Sequence, residues 1–359
     1  MHFVPALLSL MATLDTPPEL LTVAEKRDYA PTASSAEVRE LIDRIASRSS
    51  VMRTGEMGRP AEGKAIPLIF LANPPVASIE EAVQSGKPRC FIMANIHAGE
   101  IEGKEACLML AREMALDPQH PLLKDLVMAF APNYNADGND RFDAVEKNRP
   151  GQDGPKLVGV RPNAQGLDLN RDYIKLEAPE SRALVKLLND LDPHITIDCH
   201  TTNGSAHRYV LTYDAPLNPS SHPAPINFVR NQLLPEVTQR VKGSTGYDMW
   251  FYGNFNKNCT TWATYSAEPR FGASYQGLRG QMTVLSEAYS YATYEDRVIA
   301  TRESIREILK FVAEHKQEVL EINARARKDT AAEGKQPQPT NMVDIRHRIA
   351  AFNELVTVK

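Results

Sequence analysis

Apolar residues along the chain fall into short dense runs, separated by stretches in which they recur every three or four positions. The runs IPLIFL (66–71), RCFIMANI (89–96), LVMAFAP (126–132), HITIDC (194–199), YVLTY (209–213) and QMTVLSE (281–287) predict strands, each closed by a break in pattern. Helical spacing recurs over 37–47, 101–115, 178–191, 226–241 and 295–315, and Ser34 with Glu37 reads as a capping box ahead of the first. Strands alternating with helices of this length predict an α/β fold, a largely parallel or mixed sheet flanked by helices.

The pattern fails at both ends. Residues 1–19 carry an apolar stretch, Val4 to Ala12, with no Lys or Arg before it and Leu10 where a signal cleavage site wants a small residue. They are an N-terminal arm or an atypical signal; the second reading favours a periplasmic or secreted location over a cytoplasmic one. From about Lys328 the segment DTAAEGKQPQPTN is polar and proline-containing, so 328–359 reads as a linker and tail. Some thirty residues cannot bury a core, and the tail either packs back or begins a further domain. The expected domain is 20–327.

Composition narrows the function classes. A formal net charge of −4 gives no electrostatic reason to expect nucleic acid as partner. No apolar run approaches the roughly 20 residues that span a bilayer. The cysteines, Cys90, Cys107, Cys199 and Cys259, include no CxxC pair, which argues against a zinc ribbon or a thioredoxin-like motif.

Histidine and carboxylate placement is more informative. His97-Ala-Gly-Glu100 follows the run 89–96, and ligands gather at the carboxyl ends of strands in open α/β sheets. Imidazole and carboxylate suit Zn²⁺. HxxE alone is a weak signal, since a surface His before a helix-start Glu gives the same letters. A catalytic zinc needs a third protein ligand and an open position. HITIDCHTTNGS offers His200, which strand alternation puts on one face with Thr196 and Asp198. His194, at the other end of that run, reads as structural, and His207, beyond the loop, is a weaker rival. Glu287 closes the run 281–287, where a carboxylate can face the same crevice. Glu268, before a proline, and Glu295, opening a helix, fit ordinary roles.

With Arg161-Pro-Asn-Ala-Gln-Gly-Leu-Asp168-Leu-Asn170-Arg171-Asp lying between these motifs, the chain resembles the M14 metallocarboxypeptidase family over roughly residues 20–315. The resemblance implies the zinc-carboxypeptidase fold, a mixed sheet flanked by helices, and one Zn²⁺ per chain held by His97, Glu100 and His200. It implies Glu287 as the catalytic base, Arg161 as the oxyanion-stabilising arginine, and Asn170 with Arg171 as the clamp on a substrate's terminal carboxylate. Asp168 is implied to orient the first zinc histidine. The segment NYNADGNDRF is similar to the family's Asn-Pro-Asp-Gly turn, with Ala136 in place of proline. A planar guanidinium matches a carboxylate bidentately, so the clamp role agrees with side-chain chemistry.

The family also has a mobile tyrosine that folds over substrate; Tyr265 matches by spacing, with Tyr275 as runner-up. In that family specificity is set shortly before the catalytic glutamate, here around Arg270 to Arg279, where arginines either favour an acidic side chain or face solvent. Little chain precedes His97, so no inhibitory pro-segment is expected. The implied activity is zinc-dependent hydrolysis of a C-terminal peptide or small amide bond whose leaving residue carries a free carboxylate. The alternatives are an aspartoacylase-like acyl-amino-acid hydrolase, a cell-wall amide hydrolase, and a zinc-binding module without activity.

Overall fold

The computed structural model describes residues 16–202, 204–339, 342–343, 350 and 355–358. The apolar stretch Val4 to Ala12 lies outside them. Eight strands form one sheet: β1 (Met52–Gly58), β2 (Ile66–Leu71), β3 (Arg89–Ala94), β4 (Val127–Ala131), β5 (Ile195–Thr201), β6 (Leu211–Asp214), β7 (Met249–Phe251) and β8 (Met282–Ala288). Their spatial order is β1-β2-β4-β3-β5-β8-β6-β7. The centre, β4-β3-β5-β8, is parallel, while β1, β2 and β6 pair antiparallel with a neighbour. This is the expected mixed α/β sheet.

The main helices are α1 (Ser35–Ala46), α2 (Glu102–Leu116), α3 (Pro179–Leu191), α4 (Leu234–Thr245), α5 (Gly272–Leu278), α6 (Tyr294–Glu314) and α7 (Lys316–Lys335). The box at Ser34 and Glu37 forms as read, each side chain taking the other's backbone N–H. The helical pattern at 226–241 becomes a longer continuous rod: Pro223–Phe228, a π-helical turn at Val229–Leu233, then α4. α7 carries through Lys335, past residue 328, where composition placed the start of a linker.

Side-chain alternation along β5 divides the sheet's two faces. Ile195, Ile197 and Cys199 enter the larger core with residues of α2, α4 and α6. Helix α2 lies close on that face because residue 103 is glycine: a Cβ there would sit 2.6 Å from Cys199 Cβ and 3.0 Å from Ala94 Cβ. On the other face Phe91 and Met93 pack with Leu184, Leu187 and Leu188 of α3. Thr196, Asp198 and His200 point to this second face.

Candidate active site

The site forms where β3, β5 and β8 end side by side. Strand β3 stops at Ala94, two residues short of the predicted end, because Asn95 adopts a left-handed conformation (φ 64°). Its side-chain amide donates to Asn133 and Asn139, which anchors the turn. The chain then bends through His97, whose carbonyl accepts from the Glu100 amide at 2.9 Å. Glu100 therefore precedes α2 instead of starting it. On the neighbouring strands, parallel register sets His200 of β5 directly beside Glu287 of β8.

His97, Glu100 and His200 are all buried, and one ligand atom from each lies within 4.8 Å of the others. Glu100 sits between the rings, Oε1 3.1 Å from His97 Nδ1 and Oε2 3.0 Å from His200 Nδ1. Ligand atoms about 2.0–2.1 Å from a tetrahedral zinc lie about 3.3 Å apart, so little movement is needed to receive one. His97 Nε2 is engaged by Asp168 Oδ1 at 3.0 Å, while the buried His97 Nδ1 has no hydrogen-bond partner. A nitrogen turned toward the Glu100 carboxylate without a well-directed hydrogen bond, in a His₂Glu set, fits a zinc ion.

Charge balance around Glu100 is dense. Burial alone would raise its pKa, but His97, Arg149 and His200 hold it well below the usual carboxylate range. For Asp168, too, burial opposes ionisation and is outweighed by His97 and Arg161, leaving the pKa low. Burial would lower the His200 pKa; Asp198 and Glu100 override it and raise it well above the usual value. Glu287 is half-buried at the cleft wall. Desolvation pushes its pKa up to about 8; His200 pulls against that shift and Glu100 adds to it.

The long connection from β4 to α3 brings the remaining groups. Arg161 holds Asp168 through Nε and Nη2 (3.1 and 3.0 Å) and reaches Glu100 through Nη1 at 3.3 Å. Asn170 Oδ1 accepts from the Gly272 amide at 2.9 Å, so its Nδ2 faces His200 Nε2 at 3.3 Å. The guanidinium of Arg171 lies 4.3 Å over the Phe271 ring and donates to the Asn170 carbonyl. His97, Glu100, Arg161, Asn170, Arg171, His200, Tyr265 and Glu287 thus line one cleft, with Tyr252, Phe271, Ala273 and Leu285 completing its walls.

Other expectations divide on geometry. Tyr265 lines the cleft, its ring edge-on to Tyr252 and Phe271 and its hydroxyl unpartnered. Tyr275 instead packs at a tilt against Tyr173, with Arg279 over its ring, outside the lining. His207 packs in an aromatic cluster, 4.2 Å from the Tyr289 ring centre, away from the metal set. Arg270 pairs with Glu268 and Arg279 donates to the Leu188 carbonyl; neither lines the cleft, which removes the ground for an acidic preference.

Sequence reasoning passed over Arg149. Buried in the connection after β4, it donates to Glu100 Oε1 and to the carbonyls of Thr201 and Thr202, each at 3.0 Å. Its local letters, EKNRPGQ, carry no signal, since its partners lie about fifty residues away in either direction.

Residues 38–185 match the zinc carboxypeptidase family. Carboxypeptidase 2 of Trichophyton rubrum is 28% identical over 160 residues, 44% of this chain and 26% of that protein. Carboxypeptidase Z of Homo sapiens is 29% identical over 175 residues, 46% of this chain and 25% of that protein. These matches thus span about a quarter of the relatives' length. The fold is similar to that of carboxypeptidase A from Helicoverpa armigera, with TM-score 0.55, 16% identity, and 90% of this chain and 79% of that one covered. A metallo-carboxypeptidase from Burkholderia cenocepacia gives TM-score 0.53 at 17% identity, over 76% of this chain and 68% of that one. The family match includes His97, Glu100, Arg161, Asn170 and Arg171, and the sheet register adds His200 and Glu287 to the same cleft. Over residues 38–185 the chain is similar to the zinc carboxypeptidase family.

Proposed function

We propose that this chain is a zinc-dependent carboxypeptidase that hydrolyses the last amide bond of a peptide and releases an amino acid with a free carboxylate. One observation carries the reading: Asn170 and Arg171 line the same cleft as the His97, Glu100, His200 set and Glu287. A guanidinium and an amide placed there fit a terminal carboxylate and set the adjoining amide at the metal.

One zinc per chain would be held by His97 Nδ1, Glu100 and His200 Nδ1, and when bound it supplies a Lewis acid and a water of lowered pKa. Glu287 takes the proton from the attacking water and returns it to the departing amine. Arg161, already oriented by Asp168, presents its partly exposed guanidinium to the oxyanion that develops on the carbonyl. Arg171 and Asn170 hold the leaving residue's carboxylate, while Phe271 shields one face of the Arg171 fork from water. Beyond that clamp the walls are Phe271, Ala273, Leu285 and Tyr265, and every charged group of the lining belongs to the metal set, the base or the arginines. An apolar terminal side chain fits this wall best.

The test is mass spectrometry of a defined peptide mixture incubated with zinc-loaded protein, beside a chelated control. Metal-dependent loss of single C-terminal residues, apolar ones fastest, is the expected result. Intact peptides with cleavage of acyl-amino acids or cell-wall amides would replace this reading by one of those hydrolases. Inertness on all amides would leave a zinc-binding module.

A further inference from the structure

We propose that Asp198 is a positioning residue for His200, the counterpart on the second zinc histidine of Asp168 on the first. The proposal rests on the zinc reading of the site and concerns a carboxylate to which the motifs assign nothing. Asp198 lies two residues before His200 on the same face of β5, one row behind the ligand. Its Oδ2 is 3.1 Å from His200 Nε2, and both side chains are almost wholly buried. Neither Asp198 oxygen has a well-directed hydrogen bond to any group, so this imidazole is the cation or donor left to answer a carboxylate with no exposed surface.

Two groups face His200 Nε2: the Asp198 carboxylate and, at 3.3 Å, the Asn170 amide nitrogen. They ask for opposite tautomers. The Asn170 amide can only donate, because its oxygen is already fixed on the Gly272 amide, so it needs a bare Nε2. Asp198 can only accept, so it needs Nε2–H. Binding a metal through Nδ1 decides between them, since a neutral imidazole with Nδ1 on a metal carries its proton on Nε2. Asp198 then becomes the acceptor, and Asn170 Nδ2 is released from His200 toward the cleft. The same logic holds at His97, where Nε2 meets Asp168 and Nδ1 faces Glu100. A carboxylate behind a ligating histidine fixes the ring and raises its basicity, and losing it weakens metal binding by about 10–100-fold.

The test measures zinc affinity by competition with a chromophoric chelator, for Asp198→Asn, Asp198→Ala and Thr196→Val. Thr196 shares the strand face, and its buried hydroxyl has no partner, so Thr196→Val reports the effect of altering this face without touching His200. The expected result is about 10–100-fold weaker binding for Asp198→Ala. Asp198→Asn, which keeps an acceptor without the charge, should fall between it and wild type. Thr196→Val should bind as wild type does. The visible spectrum of the cobalt-substituted protein should shift in both Asp198 variants, and thermal midpoints in chelator should stay near the wild-type value. Zinc affinity within twofold of wild type in Asp198→Ala would overturn the proposal. So would an affinity loss matched by a fall in metal-free stability, or shared by Thr196→Val. None of these readings uses a substrate, so a failure of the peptidase assignment would show separately, in the wild-type peptide assay.

Discussion

His194 offers a sharp test of the buried polar framework under the site. Its Nδ1 accepts the backbone N–H of Arg89 at 3.0 Å, which ties the start of β5 to the start of β3. That bond requires a neutral ring, and protonation would set two donors against each other. Burial first, then the nearby Arg89 and Arg327, lower its pKa to about 3 from an ordinary value of 6.5. The folded state thus refuses a proton that the unfolded chain accepts. Stability from this group is complete above pH 6.5 and is lost as pH falls toward about 3. At pH 5 the unfolded-state protonation alone lowers stability by about 2 kcal/mol relative to neutral pH. The perturbation is His194→Gln, whose amide oxygen can accept from Arg89 without titrating. Urea unfolding of both proteins in chelator, from pH 7.5 to 5, gives the stability difference with other titrations cancelled. Wild type should exceed the variant at pH 7.5, and that advantage should shrink by about 2 kcal/mol by pH 5. A difference that stays flat, or grows as pH falls, would refute the neutral, accepting ring.

Glu287→Gln should leave zinc affinity unchanged and lower kcat by about 10²–10⁴-fold; near-normal turnover in a steady-state peptide assay would remove Glu287 from the base role. Arg171→Ala should weaken hydrolysis of peptides with a free C-terminus far more than of their amidated forms, and equal losses in kcat/KM would make Arg171 structural. Arg149→Met removes the cation from a buried carboxylate and should destabilise the metal-free protein by about 3–5 kcal/mol. Zinc also neutralises Glu100, so the loss should be smaller when the denaturation is repeated with zinc. A loss of the same size with and without the metal would contradict a main role at Glu100.

Much of the fold was legible because its central strands are fully buried and read as unbroken apolar runs; 66–71 is β2 to the residue. Edge strands escaped the pattern. β1, MRTGEMG, has two glycines and a glutamate on an edge with a single buried residue, and β7 is three residues long. The last turns of α7 are polar because their surface faces water: beyond Ala326 no residue of that helix is buried, so a helix there looks like a linker. At the site, short-range motifs picked out His97, Glu100, His200, Asn170, Arg171 and Glu287, which the structure brings into one cleft, since each combines a reactive side chain with a strand end or a distinctive local string. Arg149, Tyr252 and Phe271 left no such trace. Their places depend on contacts across the fold, which local periodicity does not encode.

The two halves of the cleft are built differently, and that difference bears on what can change. The half proposed to hold the metal draws His200 and Glu287 from adjacent parallel strands, where a one-residue slip would turn both side chains to the opposite face. Around it, Arg149 bridges Glu100 to the end of β5, and Arg297 is buried against Glu102, which in turn accepts from Thr201. Removing one member of such a network leaves an uncompensated buried charge. The substrate half is carried by the connection 161–171 and by the segment from Tyr252 to Ala273, whose side chains at Arg161, Arg171, Tyr252, Tyr265 and Phe271 are only half-buried. Arg161 is tied to Asp168 and Glu100, but Arg171, Tyr265 and Phe271 are held mainly by ring contacts, so altering those disturbs few partners. Substitutions at Phe271 or Ala273 should accordingly shift the terminal-residue preference with zinc affinity intact, whereas those at Arg149 or Arg297 should first appear as lost stability.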